Sequence, residues 1–110
     1  MTFNDYQKKS RFSAMYKPIG GKNFLYPVLG LAGETGEVVE KVKKIFRDDG
    51  GKVTIRKKEE IQKELGDILW YLSQVATEFG LSFNEVAKAN LDKLRSRVER
   101  GKLQGSGDNR

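Results

Sequence analysis

Apolar residues recur at helical spacing in four segments of the chain, and glycine or proline marks the breaks between them. Residues of about 3 to 16 set Phe3, Tyr6, Phe12 and Met15 among lysines and arginines, which predicts a first helix. Pro18 and the pair Gly20-Gly21 then predict a loop. A second helix is expected from about Phe24 to about Phe46, with Pro27 in its first turn and Asp48-Asp49-Gly50-Gly51 ending it. A third should run from about Ile55 to Phe79, with Thr54 as N-cap and Gly80 as stop. The fourth opens on Ser82-Phe83-Asn84-Glu85, a capping-box pattern, and reaches about Val98. Beyond Gly101 the tail has no apolar periodicity and alone would be disordered. The pattern predicts an all-α fold: a small four-helix arrangement in one domain, with a core of about residues 24–98 and a tail of about 101–110.

Helical angles bring the second and third helices into relation. At about 100° per residue, with Glu34 at 0°, Ile45, Val38, Leu31, Val42, Val28 and Val39 form an apolar stripe between about 20° and 140°. Glu34 lies at its edge and Glu37 about 60° further out. With Glu64 at 0°, Val75, Ile68, Ile61, Phe79, Leu72, Leu65, Ala76 and Leu69 occupy the same sector, and Asp67 again lies about 60° outside. A connection of about eight residues requires the two helices to be antiparallel neighbours. Packed stripe to stripe in that sense, they keep both acidic edges on one side. Each acid pair also lies about ten residues from the connection, so the pairs meet at similar height. Four carboxylates are expected to converge. Gly30, Gly33 and Gly36 are poor helix formers, and close approach of another backbone or a ligand would account for them.

Composition narrows the chemistry. The 110 residues contain no cysteine and no histidine, which removes thiol and Ser-His mechanisms and the usual zinc ligand sets. Any catalysis must then rest on carboxylates, lysine, tyrosine or an oxygen-bound metal. Converging carboxylates repel unless cations neutralise them, and an all-oxygen set suits Mg²⁺, with Mn²⁺ as a substitute. The plainer reading, solvated rim acids paired with Lys41, Lys44 or Lys63, suits one acidic pair better than two matched in angle and height. The net charge of +6 suggests a polyanionic partner without choosing among nucleic acid, a membrane surface and a phosphorylated small molecule. No apolar run approaches bilayer length and the start lacks a signal pattern, so a soluble, cytoplasmic protein is expected, with no membrane association.

On the fourth helix, Lys93 and Arg97 edge the apolar stripe and could bind phosphate oxygens, with Asn90 holding a sugar hydroxyl or a metal-bound water. By spacing alone, a solvated basic face accounts for them slightly better. Tyr71, beside the acidic edge, could face the ligand or pack at a boundary. Trp70 points away from the stripe and should be covered by the first helix or a second subunit. Phe12 and Tyr16 could stack on a nucleobase, but a core role is the stronger reading. The Gly-Ser-Gly tail resembles a phosphate loop only in composition.

The segments Gly30-Leu31-Ala32-Gly33-Glu34-Thr35-Gly36-Glu37-Val38, Glu64 to Leu72 and Ala89-Asn90-Leu91-Asp92-Lys93-Leu94 resemble the MazG-like nucleotide pyrophosphohydrolases over about residues 24–98. Their all-α superfamily also holds dimeric dUTPases, dCTPases and phosphoribosyl-ATP pyrophosphohydrolases. The family motif is often written with two adjacent acids before the second Glu, and here Gly33 stands at the first of those positions. The resemblance implies Mg²⁺ ligation by Glu34, Glu37, Glu64 and Asp67. It also implies hydrolysis of a nucleoside triphosphate to the monophosphate and pyrophosphate, in house-cleaning of non-canonical or excess nucleotides. Lys93 and Arg97 would assist the phosphate chain. A homodimer or homotetramer with sites near subunit interfaces follows from the same likeness, with a tail free to close over a neighbour's site. Two other readings start from the residues: a basic helical nucleic-acid-binding protein, which the charge supports but the clustered acids do not, and a non-catalytic helical partner keeping a relic metal site.

Overall fold

The computed structural model describes residues 1–110 as four α-helices: α1 (Phe3–Ser10), α2 (Leu25–Asp49), α3 (Ile55–Glu78) and α4 (Phe83–Glu99). The two long helices form the centre. Phe24 stacks on Phe79 with ring centroids 5.0 Å apart, Gly30 lies against Tyr71, and Glu34 lies beside Asp67. Residue numbers rise on one helix as they fall on the other, so α2 and α3 are antiparallel as the short connection requires. Gly50 closes α2 at φ 60°, a left-handed conformation natural to glycine, with its N–H donating to the Ile45 carbonyl. Asp48 and Asp49 therefore extend the helix rather than end it. Thr54 caps α3 as expected, its hydroxyl accepting the Lys57 N–H at 3.1 Å. The Ser82 hydroxyl likewise accepts from Glu85 N–H at the start of α4.

The first helix is shorter than its aromatic spacing predicts. It stops at Ser10 and passes into a 3₁₀ turn, Arg11–Ser13. The reason is tertiary. The Ser10 carbonyl, which a continuing α-helix would offer to Ala14, accepts Trp70 Nε1–H at 3.3 Å and the Ser13 hydroxyl at 3.2 Å, while Ala14 N–H turns to the Arg11 carbonyl. Beneath this turn lies a polar cluster: Ser73 and Gln74 are fully buried, Gln74 donates to the Ser10 hydroxyl at 2.8 Å and accepts from Arg11 at 2.8 Å. Trp70 is thus covered by the end of α1 and the turn after it. Phe12 contradicts the core role expected of it: it lies in the 3₁₀ turn, none of whose residues is buried, and is 84% exposed. The α1 N-terminus is held by a capping box between Thr2 and Asp5.

The apolar stripes are only partly covered. Ile45, Ala76 and Phe83 are buried, but Val39, Val42, Phe46, Leu65, Leu72, Leu91 and Val98 are exposed. Helix α4 packs on α1 through Phe3 and Phe83 and also meets α3, but has little contact with α2. The tail is not loose: residues 101–110 turn back along α4 through Arg97, Arg100 and Arg110. No helix is long and apolar enough to cross a membrane.

Candidate metal centre

Spacing of three puts each acid pair on one side of its helix, and the antiparallel register sets position 34 opposite 67. Glu34, Glu64 and Asp67 come together there, each with a carboxylate oxygen within 4.8 Å of the others; the two glutamates are half-buried and Asp67 is exposed. Glu37, level with Glu64, is exposed and stands outside that group, although its charge still reaches Glu34. Burial first, then the charges of Asp67, Glu64 and Glu37, push the Glu34 carboxyl above its ordinary value. One cation approaches: Lys41 Nζ lies 3.8 Å from a Glu64 oxygen, long for an ion pair, and neither Lys44 nor Lys63 pairs with the acids. Three like charges with one distant ammonium leave a net negative pocket of hard oxygen donors. Such a set fits a divalent cation of the Mg²⁺ or Mn²⁺ type, which replaces the missing positive charge.

The cations of α4 are engaged elsewhere. Lys93 and Arg97 both pair with Asp108 of the tail, at 3.3 and 3.4 Å, and neither pairs with the four acids. Arg97 is 4% exposed, which a solvated basic face does not explain. Asn90 is exposed on the same helix.

Tyr71 borders the acids. Its ring fills the space a Cβ at Gly30 would occupy, so Gly30 permits close approach, though of a side chain rather than a backbone. Gly33 and Gly36 meet nothing within 4 Å in this chain. From Tyr71 an open cleft of about 300 Å³ extends past Tyr26, Trp70, Tyr16, Met15 and Ser13. Tyr16 stacks on Tyr26 with centroids 5.6 Å apart and planes 10° from parallel, while Trp70 stands edge-on to both Tyr16 and Tyr71. The Tyr16 hydroxyl donates to Glu78 at 2.9 Å and accepts from Arg11 at 2.9 Å, which fixes its ring. Sequence reasoning missed Tyr26. A signal existed, since Tyr26 falls within about 20° of Glu37 on the helical wheel, on the acidic side of the stripe.

Comparison with known proteins accords with this geometry. Residues 25–101 match the model of the MazG nucleotide pyrophosphohydrolase domain. The chain is also similar to "Gene 37 protein" of Mycobacterium phage L5, 42% identical over 109 residues that span 96% of each chain. No solved structure matches. The matched residues contain α2, the acids of α3 and all of α4, and the chain belongs to the MazG nucleotide pyrophosphohydrolase family, hydrolases that act on nucleotides and generally use a divalent metal.

Proposed function

We propose that the protein is a single-domain, Mg²⁺-dependent nucleoside triphosphate pyrophosphohydrolase that cleaves between the α- and β-phosphates and releases monophosphate and pyrophosphate. The observation that carries this is the meeting of Glu34, Glu64 and Asp67 around too little positive charge. Glu34, Glu64 and Asp67 would hold the cation, with Glu37 one turn from Glu34 joining as a ligand or orienting the attacking water. A divalent cation bound there lowers the pKa of water and offsets the charge gathering on the leaving pyrophosphate, so no histidine base is needed. In the hydrolysis, water oxygen bonds to phosphorus, the bond to the bridging oxygen breaks, and the water's proton passes to a carboxylate of the cluster. Lys93 and Arg97 would receive phosphate oxygens and Asn90 the sugar. The aromatic cleft beside Tyr71 supports a place for the base, with flat rings offering stacking faces. House-cleaning of non-canonical or excess nucleotides in the cytoplasm is the role this chemistry would serve.

We further read the working unit as a homo-oligomer. A compact monomer of 12.5 kDa exposes about 6,200 Å², whereas this chain exposes 8041 Å². Its radius of gyration is 17.0 Å, against about 13 Å for a compact chain of this length. The surplus surface, together with open space at Gly33 and Gly36, supports a second copy packing on α2, α3 and α4.

The test is turnover. With Mg²⁺ and a panel of standard and modified triphosphates, equimolar monophosphate and pyrophosphate should appear, and Glu64→Gln should reduce the rate by at least a hundredfold while circular dichroism shows the helices intact. Absence of turnover across the whole panel would overturn the reading.

A further inference from the structure

Residues 101–110 form a closed turn rather than a trailing end. The Arg110 guanidinium donates to the carbonyls of Lys102, Leu103 and Gly107 at 3.2, 2.9 and 2.6 Å, and Arg100 donates to the Arg110 carbonyl at 2.8 Å. Gly105 and Gly107 take positive φ values of 135° and 84°, which let so short a segment double back. The buckle delivers Asp108 to α4. One Asp108 carboxylate oxygen lies 3.3 Å from Lys93 Nζ and 3.4 Å from Arg97 Nη2, and the Asp108 carbonyl accepts from Arg97 Nη2 at 2.7 Å.

The two sides of this contact are unequal. Arg97 is buried, with its side chain 5% exposed, while the Asp108 side chain is 84% exposed. A built-in cation is therefore answered by a carboxylate at the end of a short surface segment. Arg97 Nε is buried without any hydrogen-bond partner, so the contact leaves a donor open. Lys93 and Arg97, one helical turn apart, present several N–H donors to one small acidic group. A phosphate, with more charge and three free oxygens, satisfies more of them than a single carboxylate does.

We infer that the tail is an autoinhibitory cap, with Asp108 occupying the cation pair in place of a substrate phosphate, which must displace it on binding. The inference rests on the reading above in one respect, that Lys93 and Arg97 receive phosphate oxygens. Arg110 is a positioning residue for Asp108, acting through the buckle. The Lys93–Asp108 pair is exposed on both sides, and such pairs are weak and screened by salt, so a polyphosphate can open the cap and ionic strength loosens it. A cap closed nine-tenths of the time weakens binding about tenfold, since the apparent affinity scales with the open fraction.

Calorimetric titration of the 110-residue protein with inorganic pyrophosphate reads the cap without requiring turnover. Asp108→Asn should tighten pyrophosphate binding about three- to tenfold, and Arg110→Ala should do the same, with neither changing the helix content. The difference from the parent protein should shrink as salt rises, which a merely structural role for the tail would not produce. In turnover, Asp108→Asn should lower KM by the same factor and leave kcat unchanged. Lys93→Ala should weaken pyrophosphate binding with or without Asp108→Asn. If Lys93→Ala leaves pyrophosphate binding untouched, the phosphate reading fails and the cap with it. If Lys93→Ala weakens binding but Asp108→Asn leaves it unchanged or weaker, the phosphate site stands and the cap is overturned.

Discussion

At Gly30 one hydrogen decides how closely α2 and α3 approach, because the Tyr71 ring stands where a Cβ would be. Tyr71 has little room to retreat, with Trp70 edge-on at 5.1 Å and Tyr26 at 6.3 Å. Gly30→Ala sets a helix-propensity gain of up to about 1 kcal/mol against an overpacking cost of about 1–3 kcal/mol, so net destabilisation of about 1 kcal/mol is expected in urea unfolding. Gly36→Ala meets nothing within its own chain, so helix propensity alone favours it by up to about 1 kcal/mol, and a loss of stability in urea unfolding would instead report a second copy packed there. The spacing of the three glycines announced a close approach without saying which glycine makes it, since that depends on the ring across the interface. Tyr71 itself is pushed up to about 12 from 10.0, first by burial and then by the neighbouring Tyr26 hydroxyl. The folded protein therefore holds this proton more tightly than the unfolded chain. Its stabilising contribution is complete below about pH 10 and is lost as pH rises toward about 12. Denaturation curves of Tyr71→Phe should lack that component, and ultraviolet titration of the parent, in which burial also raises Tyr6 and Tyr16, should lose its latest ionisation in the same variant.

Among the elements, α2 and α3 were legible because their signals are local: a stripe at one angular sector, a Thr54 cap and a Gly50 stop. The meeting of Glu34 with Glu64 and Asp67 follows from angle and height on two antiparallel helices, both readable from spacing. The end of α1 was not legible, because it is imposed by the Trp70 indole N–H from 60 residues away. The ordered tail was equally hidden, since it is held by arginine side chains on α4 and at its own end rather than by an apolar pattern. Local signals of this kind can be tested singly. Thr54→Ala removes the acceptor for Lys57 N–H and should cost about 1 kcal/mol, measured as a lower urea midpoint with unchanged slope. A change in slope instead would mean that α3 frays and the unfolded reference has shifted.

For the whole molecule, the exposed apolar residues Val39, Phe46, Leu65, Leu72, Leu91 and Val98 belong to the same helical stripes as the buried Ile45, Ala76 and Phe83. Stripes continuous in sequence but half covered in space are what the proposed second copy would cover. On that proposal, the surplus of about 1,900 Å² per chain over a compact monomer would give a contact of about 3,700 Å² in total, within the range of obligate homodimers. Few residues of the chain are fully buried, so folding and assembly should be one event. The melting temperature should then rise with protein concentration, and sedimentation equilibrium should give a mass at least twice that of the chain. Val39→Lys places a charge on the exposed stripe that the proposed second copy would cover, and should shift both measurements toward the monomer and lower the melting temperature. A monomeric mass with a melting temperature independent of concentration would mean that the exposed stripes belong to the single chain as it works.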